Sequence, residues 1–269
     1  MVTATFRFYE ELNDFIARPL RRRAFSCECA RNATAKHMIE ALGVPHTEVE
    51  LILVNGESVG FDHPLVEGDR VAVYPKFETF DVRPLLRVRA APLRDPRFIA
   101  DAHLGGLAQL LRLAGFDTLY DNGYPDDDIE AIALAESRIV LSRDRELLKR
   151  RNITHGCYVR ALQPHAQLRE LFDRLDLAAS ARPFRLCLMC NAPLHPLARE
   201  AARARVPEGV FDRHSRFVTC DVCRRVFWEG SHWKRMRSVI DAVTNARARV
   251  QCAPLNDPES PDGHEENRP

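Results

Sequence analysis

Lysine is nearly missing from this chain, with 4 residues against 35 arginines. A GC-rich genome can produce that bias, and arginine also suits phosphate contacts, so composition alone leaves both readings open. Excess charge of either sign is missing too: 39 basic and 38 acidic side chains leave a net +1. Taken over the whole chain, that balance argues against a histone-like or polybasic nucleic-acid binder. No apolar run approaches the roughly 18 residues of a membrane span, so no membrane partner is expected. The first twenty residues hold Glu10, Glu11 and Asp14 and do not read as a secretory signal, so a soluble cytoplasmic protein is expected. Eight cysteines in such a setting point to metal rather than to disulfides. What is present is ordinary for a folded protein. Apolar content of 45% and charged content of 29% exclude wholesale disorder, and 269 residues suggest two domains or two plus a small module.

Residues 1–81 read as one small β-rich unit. Ala4 to Tyr9 alternates as a strand does. Residues 34–42 make a short helix, with Thr34 at its start and Gly43 after its end. Residues 50–54 are a second strand, running into the hairpin signal Asn55-Gly56, and residues 70–74 a third. A strand, a helix and further strands resemble a β-grasp, or ubiquitin-like, domain. Carrier proteins of that fold end in a flexible Gly-Gly. Here Pro75-Lys76-Phe77 follows the last strand and the chain continues, so an interaction or packing role is the expectation. Cys27-x-Cys29 has no nearby partner pair and reads as structural. Residues 82–97, with three prolines and five arginines, read as an extended connector.

Residues 98–181 alternate strands with helices, which implies a parallel sheet. Strands are expected at residues 98–100, 118–120, 138–141 and 156–161, and helices at 104–114, from Asp126, from Arg145, and at 164–175. Chemistry in such sheets sits beyond the carboxyl ends of the strands. Asp101 and Asp144 lie at those ends, and Asp126, Asp127 and Asp128 open a helix on the same side. Separately, Asp101 reads equally well as a turn residue, Asp144 as a helix cap and the three consecutive acids as dipole partners. Jointly, converging carboxylates call for a hard divalent cation, Mg²⁺ or Mn²⁺.

FIADAHLGGLAQLLRLAGFDTLYD followed by DDDIEAIALAESRIVLSRDRELLKRR resembles the PIN-like ribonuclease family named after the C-terminal domain of the mut-seven exonuclease. The resemblance spans about residues 98–250, and several members carry a ubiquitin-like domain at the N-terminus. It implies a metal-dependent ribonuclease that hydrolyses RNA phosphodiesters. Asp101, Asp127 and Asp144 would be the Mg²⁺ or Mn²⁺ ligands and catalytic acids, assisted by Asp126 or Asp128. Ser142 matches the hydroxyl residue just before the last strand-end acid. Any of the three consecutive acids could fill the middle position; counting back from Arg138 favours Asp127, with Asp126 next. The sequence departs from the family pattern at Gly106, where a side chain is usual, and at Gln109-Leu110. The alternative of a different class is a non-catalytic RNA- or ribosome-binding factor.

Residues 182–250 carry Cys187-x-x-Cys190 and Cys220-x-x-Cys223, two knuckles 29 residues apart. Four thiolates close a tetrahedral zinc site with no open position, so the zinc is expected to be structural. A helix is expected at 196–205, and another at 233–246 with Ser231 as its N-cap and Met236, Val239, Ile240 and Val243 as its apolar face. Residues 182–249 hold 14 bases and 6 acids, a net +8 that offsets −3 in residues 98–181. Arg143, Arg224, Arg225, Lys234 and Arg235 are the candidate RNA-binding residues, forming a phosphate track beside the acids for an RNA such as tRNA or a ribosome-associated one. Trp228 and Trp233 read as core. Residues 251–269 are acidic, proline-rich and read as a disordered tail. The expected architecture is therefore α+β and α/β: a β-grasp domain, which could also bind a protein partner, then a PIN-like parallel-sheet domain with a zinc ribbon.

Overall fold

The computed structural model describes residues 1–75 and 96–245. The acidic tail, Cys252 and all but the last two residues of the expected connector lie outside the described residues.

The first unit is a mixed five-stranded sheet. Its strands are β1 (Val2–Phe8), β2 (Phe25–Cys29), β3 (Leu51–Val54), β4 (Glu57–Val59) and β5 (Arg70–Tyr74), with helix α1 (Ala35–Ala41) between β2 and β3. The spatial order is β2-β1-β5-β3-β4, with β1 and β5 parallel and the other pairs antiparallel. This is the β-grasp arrangement. Alternation in β1 turns Ala4, Phe6 and Phe8 into the core, where they meet Met38 and Ile39 of α1. The Thr34 side chain accepts a hydrogen bond from the His37 N–H and caps α1. Asn55 (φ 54°) and Gly56 (φ 92°) make the tight β3–β4 turn, whose two left-handed residues favour Asn-Gly. Strand β2 is an addition to the sequence reading. It carries Cys27 and Cys29 as packing residues, and Cys29 is fully buried.

The second unit is a parallel sheet of β6 (Phe98–Ala100), β7 (Thr118–Tyr120), β8 (Ile139–Ser142) and β9 (Gly156–Tyr158), ordered β7-β6-β8-β9. Its helices are α2 (Gly105–Leu113), α3 (Asp126–Glu136), α4 (Arg145–Leu148) and α5 (Pro164–Leu175). All three residues of β6 are buried, as a strand covered on both faces requires. On one face Phe98, Ala100 and Leu141 pack with Leu107 and Leu111 of α2 and Leu168 and Leu171 of α5. On the other, Ile99 and Val140 pack with Ile129 and Ala133 of α3 and Leu147 of α4. Gly106 has a local reason: a Cβ there would come within 2.7 Å of Pro164 Cγ, so glycine lets α2 begin against the start of α5.

The third unit is an antiparallel sheet of β10 (Leu194–Leu197), β11 (Phe217–Cys220) and β12 (Val226–Trp228), with α6 (Arg199–Ala202), α7 (Glu208–Arg213) and α8 (Ser231–Thr244). Two expectations are corrected here. The helix expected at 196–205 is replaced by β10 and the four residues of α6. Pairing with β11 competes with helix formation there, and Pro196 is tolerated because β10 is an edge strand. Gly230, not Ser231, occupies the cap position of α8, and Ser231 is already helical. The apolar face of α8 is as expected: Ile240 and Val243 join the core above α5, and Met236 and Val239 pack beside them.

The β-grasp unit is seated on edge strand β9. A short turn at His46–Glu48 runs along it, and Glu48 Oε1 accepts the Tyr158 N–H at 2.7 Å. His46 Nε2 meets the Ile153 carbonyl at 2.8 Å. The Glu48 side chain, 0% exposed, also pairs with Arg160 at 3.2 Å and Arg174 at 2.7 Å. An edge strand that would otherwise present free N–H groups is thereby covered.

Candidate active site and metal centre

Asp101 follows β6, and Ser142 and Asp144 close β8, so the parallel pairing of β6 with β8 sets all three at the carboxyl end of the sheet. They form a chain of hydrogen bonds. The Asp144 N–H donates to Ser142 Oγ at 2.8 Å, and Ser142 Oγ donates to Asp101 Oδ2, which also accepts the Arg143 N–H at 3.3 Å. Ser142 is fully buried, Asp101 is 7% exposed and Asp144 is exposed. Both acids are also caps. Asp101 Oδ1 accepts from the His103 N–H at 2.9 Å, and Asp144 Oδ1 from the Glu146 N–H at 2.8 Å. Each aspartate is thus fixed in direction by the backbone turn that follows its strand, and Asp144 Oδ2 takes no hydrogen bond among the described residues.

The three acids that open α3 are placed differently. Arg150, just beyond α4, pairs with Asp127, with Glu130 at 3.1 Å and with Asp126 at 3.4 Å. These contacts hold the guanidinium firmly protonated. The guanidinium therefore offsets part of the negative charge at the start of α3. Among the described residues no three of Asp101, Asp126, Asp127, Asp128 and Asp144 bring ligand oxygens within 4.8 Å of one another. Among the described residues a preformed cage of three carboxylates is absent. Asp101 and Asp144 are carboxylates, the donor type of which a hydrated Mg²⁺ or Mn²⁺ takes one or two. Two clefts, of about 270 Å³ between α5 and α8 and about 450 Å³ beside β11, are lined by none of these acids.

The four knuckle cysteines do form a group, with all sulfur atoms within 4.8 Å of one another. Cys187 Sγ lies 3.5 Å from Cys223 Sγ, and Cys190 Sγ 3.3 Å from Cys220 Sγ. These separations exceed a disulfide bond and approach the about 3.8 Å edge of a tetrahedron with 2.3 Å zinc–sulfur bonds. Burial pushes the Cys187 thiol up to about 12. The Cys220 thiol is also opposed by burial, but the backbone N–H groups of Cys223 and Val222 and its contact with Cys190 hold it at about 7. The donor set fits zinc, and His195 lies outside it, 3.6 Å from Asp221.

The first knuckle is anchored to the nuclease-like unit by residues that the sequence reading missed. Arg112, 4% exposed, donates to the carbonyls of Leu188 at 3.1 Å, Met189 at 2.9 Å and Thr118 at 2.8 Å. Asn191 Oδ1 accepts the Thr118 N–H at 3.0 Å, and its amide donates to Asp117, which Arg138 grips with two 2.9 Å bonds. The visible signal was an arginine at position 112, on the apolar stripe of a helix that otherwise buries Leu107, Ala108 and Leu111. Thr118 opens β7, so the knuckle is docked at the amino ends of the strands, opposite the acids. Trp233 stacks on Phe184 at 4.8 Å, and the Phe184 N–H bonds to the Leu113 carbonyl at the end of α2, which keeps the start of α8 at that same end. Of the candidate RNA-binding residues, Arg143 is therefore beside the acids. Arg224 and Arg225 lie on the second knuckle, and Lys234 and Arg235 on the first turns of α8, all four exposed.

A β-grasp module seated on a short parallel sheet, with hydroxyl-linked aspartates at strand ends and a four-cysteine knuckle pair, defines a two-domain protein of the nuclease-like α/β class. The Mut7-C RNAse domain matches residues 96–240, and the Mut7-C ubiquitin domain matches residues 1–81. The chain belongs to the Mut7-C RNAse domain family. No curated protein matches it. Two crystal structures of the small archaeal modifier protein 1 of Haloferax volcanii are similar at 16% identity, with a TM-score of 0.24; they cover 29% of this chain and 100% and 99% of their own.

Proposed function

We propose that this protein is a metal-dependent ribonuclease that hydrolyses RNA phosphodiester bonds at the Asp101–Ser142–Asp144 end of its parallel sheet. The hydrogen-bonded chain that joins the Asp101 carboxylate through Ser142 to the backbone N–H of Asp144, in a domain of this family, is the observation that carries the reading. Asp101 and Asp144 would hold Mg²⁺ or Mn²⁺, and such an ion supplies an activated water and charge neutralisation at the phosphorus. Ser142 orients Asp101 and ties it to the backbone of Asp144. Arg143 flanks the site with a cation for a phosphate oxygen. Asp126 and Asp127 join the site only when Arg150 is drawn away from them. Zinc at Cys187, Cys190, Cys220 and Cys223 is structural.

The test is cleavage of labelled single-stranded RNA and of tRNA with Mn²⁺ or Mg²⁺. Asp101→Asn and Asp144→Asn are each expected to lower the rate by about 10²-fold or more, while circular dichroism stays unchanged. Equal rates for wild type and both variants would sink the catalytic assignment. One observation favours a second reading: Asp126 and Asp127 at the start of α3 are already paired with Arg150. On that reading the protein is a non-catalytic RNA- or ribosome-binding factor, and RNA binding would persist in EDTA with no cleavage under any metal.

A further inference from the structure

The loop between β1 and β2 belongs to the β-grasp unit, yet its inner side is built against the nuclease-like unit. Phe15, 5% exposed, meets the Tyr158 ring edge-on at 5.2 Å, with the guanidinium groups of Arg145 and Arg160 at 4.9 and 5.2 Å from its own ring. Arg145 directly follows Asp144. Its Nη2 donates to the Asp14 carbonyl at 3.5 Å, and Arg21 Nη2 donates to the same oxygen at 3.4 Å. One backbone oxygen thus draws together an arginine of the β-grasp loop and the arginine adjoining the strand-end acid.

The outer side of the loop reads Arg18-Pro19-Leu20-Arg21-Arg22-Arg23, and all four arginines are exposed. Among the described residues none of the four pairs with a carboxylate. The nearest acid in sequence, Asp14, directs its side chain to Arg160 at 3.3 Å. The loop is nonetheless rigidly held. Buried Asn13 donates to the carbonyls of Phe8 at 2.9 Å and Glu10 at 3.0 Å and accepts the Arg22 N–H at 2.6 Å, while Arg21 Nε donates to the Ile16 carbonyl at 2.8 Å. Arg22 is held at φ 58°. Four like charges within six residues repel one another, and a polyanion relieves that repulsion. Arginine also matches phosphate oxygens with paired donors.

We propose that the Arg18, Arg21, Arg22 and Arg23 face of the β-grasp domain is a phosphate-binding track that leads an RNA backbone to the Asp101–Asp144 end of the neighbouring domain. This rests on the nuclease reading for its substrate class and changes where the substrate is held. The knuckle and the start of α8 are docked at the opposite end of the strands, so the positive surface that extends Arg143 and Arg145 beyond Asp144 is the one on the β-grasp loop. The β-grasp unit then works as one wall of the RNA-binding face.

The experiment measures binding of a fluorescent single-stranded RNA to the full chain, without added Mg²⁺ or Mn²⁺, over a salt series. Each lost phosphate contact to a single strand lowers the slope of log K against log salt by about 0.7. The triple variant Arg18→Gln/Arg22→Gln/Arg23→Gln spares Arg21, which holds loop carbonyls, and should lower the slope by about 2. The triple Arg→Lys variant at the same positions should keep it. An unchanged slope in the Gln variant overturns the proposal, as does an equal loss in the Lys variant, which would make the arginines structural. Displacement of the RNA by poly-glutamate at matched charge, as readily as by unlabelled RNA, would assign the face to acidic protein and overturn it too. Because binding is read without added Mg²⁺ or Mn²⁺, absence of cleavage counts against the nuclease reading alone.

Discussion

Asp101 and Asp144 hold the fold through capping bonds, and on the proposed reading the same side chains would carry the chemistry. Their capping bonds are those expected of turn residues, and the same bonds aim the carboxylates past the strand ends. Asp127 was chosen from sequence by counting, and it instead faces Arg150, because an exposed acidic helix start attracts the nearest guanidinium. Arg112 is the clearest residue that pattern reading passed over. Its three carbonyl partners lie on two units, and Arg112→Ala should cost about 3 kcal/mol, read as a lower denaturation midpoint, because buried acceptors lose charged donors. Cys157 gives a pH prediction. It is fully buried in β9, and burial pushes its thiol from 9.0 to about 12. The folded state therefore favours the protonated form, and its stabilising effect is complete below 9.0 and lost as pH rises toward 12. Chemical denaturation between pH 8 and 11 should show a decline that is shallower in Cys157→Ala.

At the scale of elements, the zinc ribbon and α8 are one assembly with the parallel sheet. The ribbon's own buried apolar side chains are few, chiefly Ala202 and Phe217, so zinc bound at the four cysteines would supply much of its folding free energy. Zinc removal with a strong chelator should unfold β10, β11 and β12 and loosen Thr118 and Asp117 through Asn191. Hydrogen exchange should show protection lost in residues 186–228 and weakened in β7 while β1 and β5 stay protected. Loss confined to the knuckles, with β7 unchanged, would contradict the anchoring role given to Asn191 and Arg112.

Across the whole molecule, the β-grasp domain is joined to its neighbour by buried charge. Glu48 is surrounded by Arg160, Arg174 and the Tyr158 N–H. Glu48→Ala should destabilise the chain by about 3–5 kcal/mol, since both guanidinium groups lose their buried partner. The same variant should speed limited proteolysis of the full chain. If the domains instead behaved as independent beads, the variant would melt like the wild type and resist protease equally. Rigid seating is also what allows a loop of one domain to serve a site in the other.

The sequence by itself determined the order of units, most strands and helices, the four-cysteine cluster and the two strand-end acids. These are local facts: alternation, capping residues, Asn-Gly at a turn, and Cys-x-x-Cys spacing each act within a few residues. It missed β2 and misread residues 196–205, because a short edge strand exists only where a partner strand offers it hydrogen bonds. Only the tertiary structure decided that the knuckle docks away from the acids, that Arg150 pairs with the start of α3, and that the β1–β2 loop meets Arg145, the residue after Asp144. Each of these joins residues distant in the chain, such as Asp14 to Arg145 and Arg112 to Leu188, and no periodicity within one segment records a contact made by another.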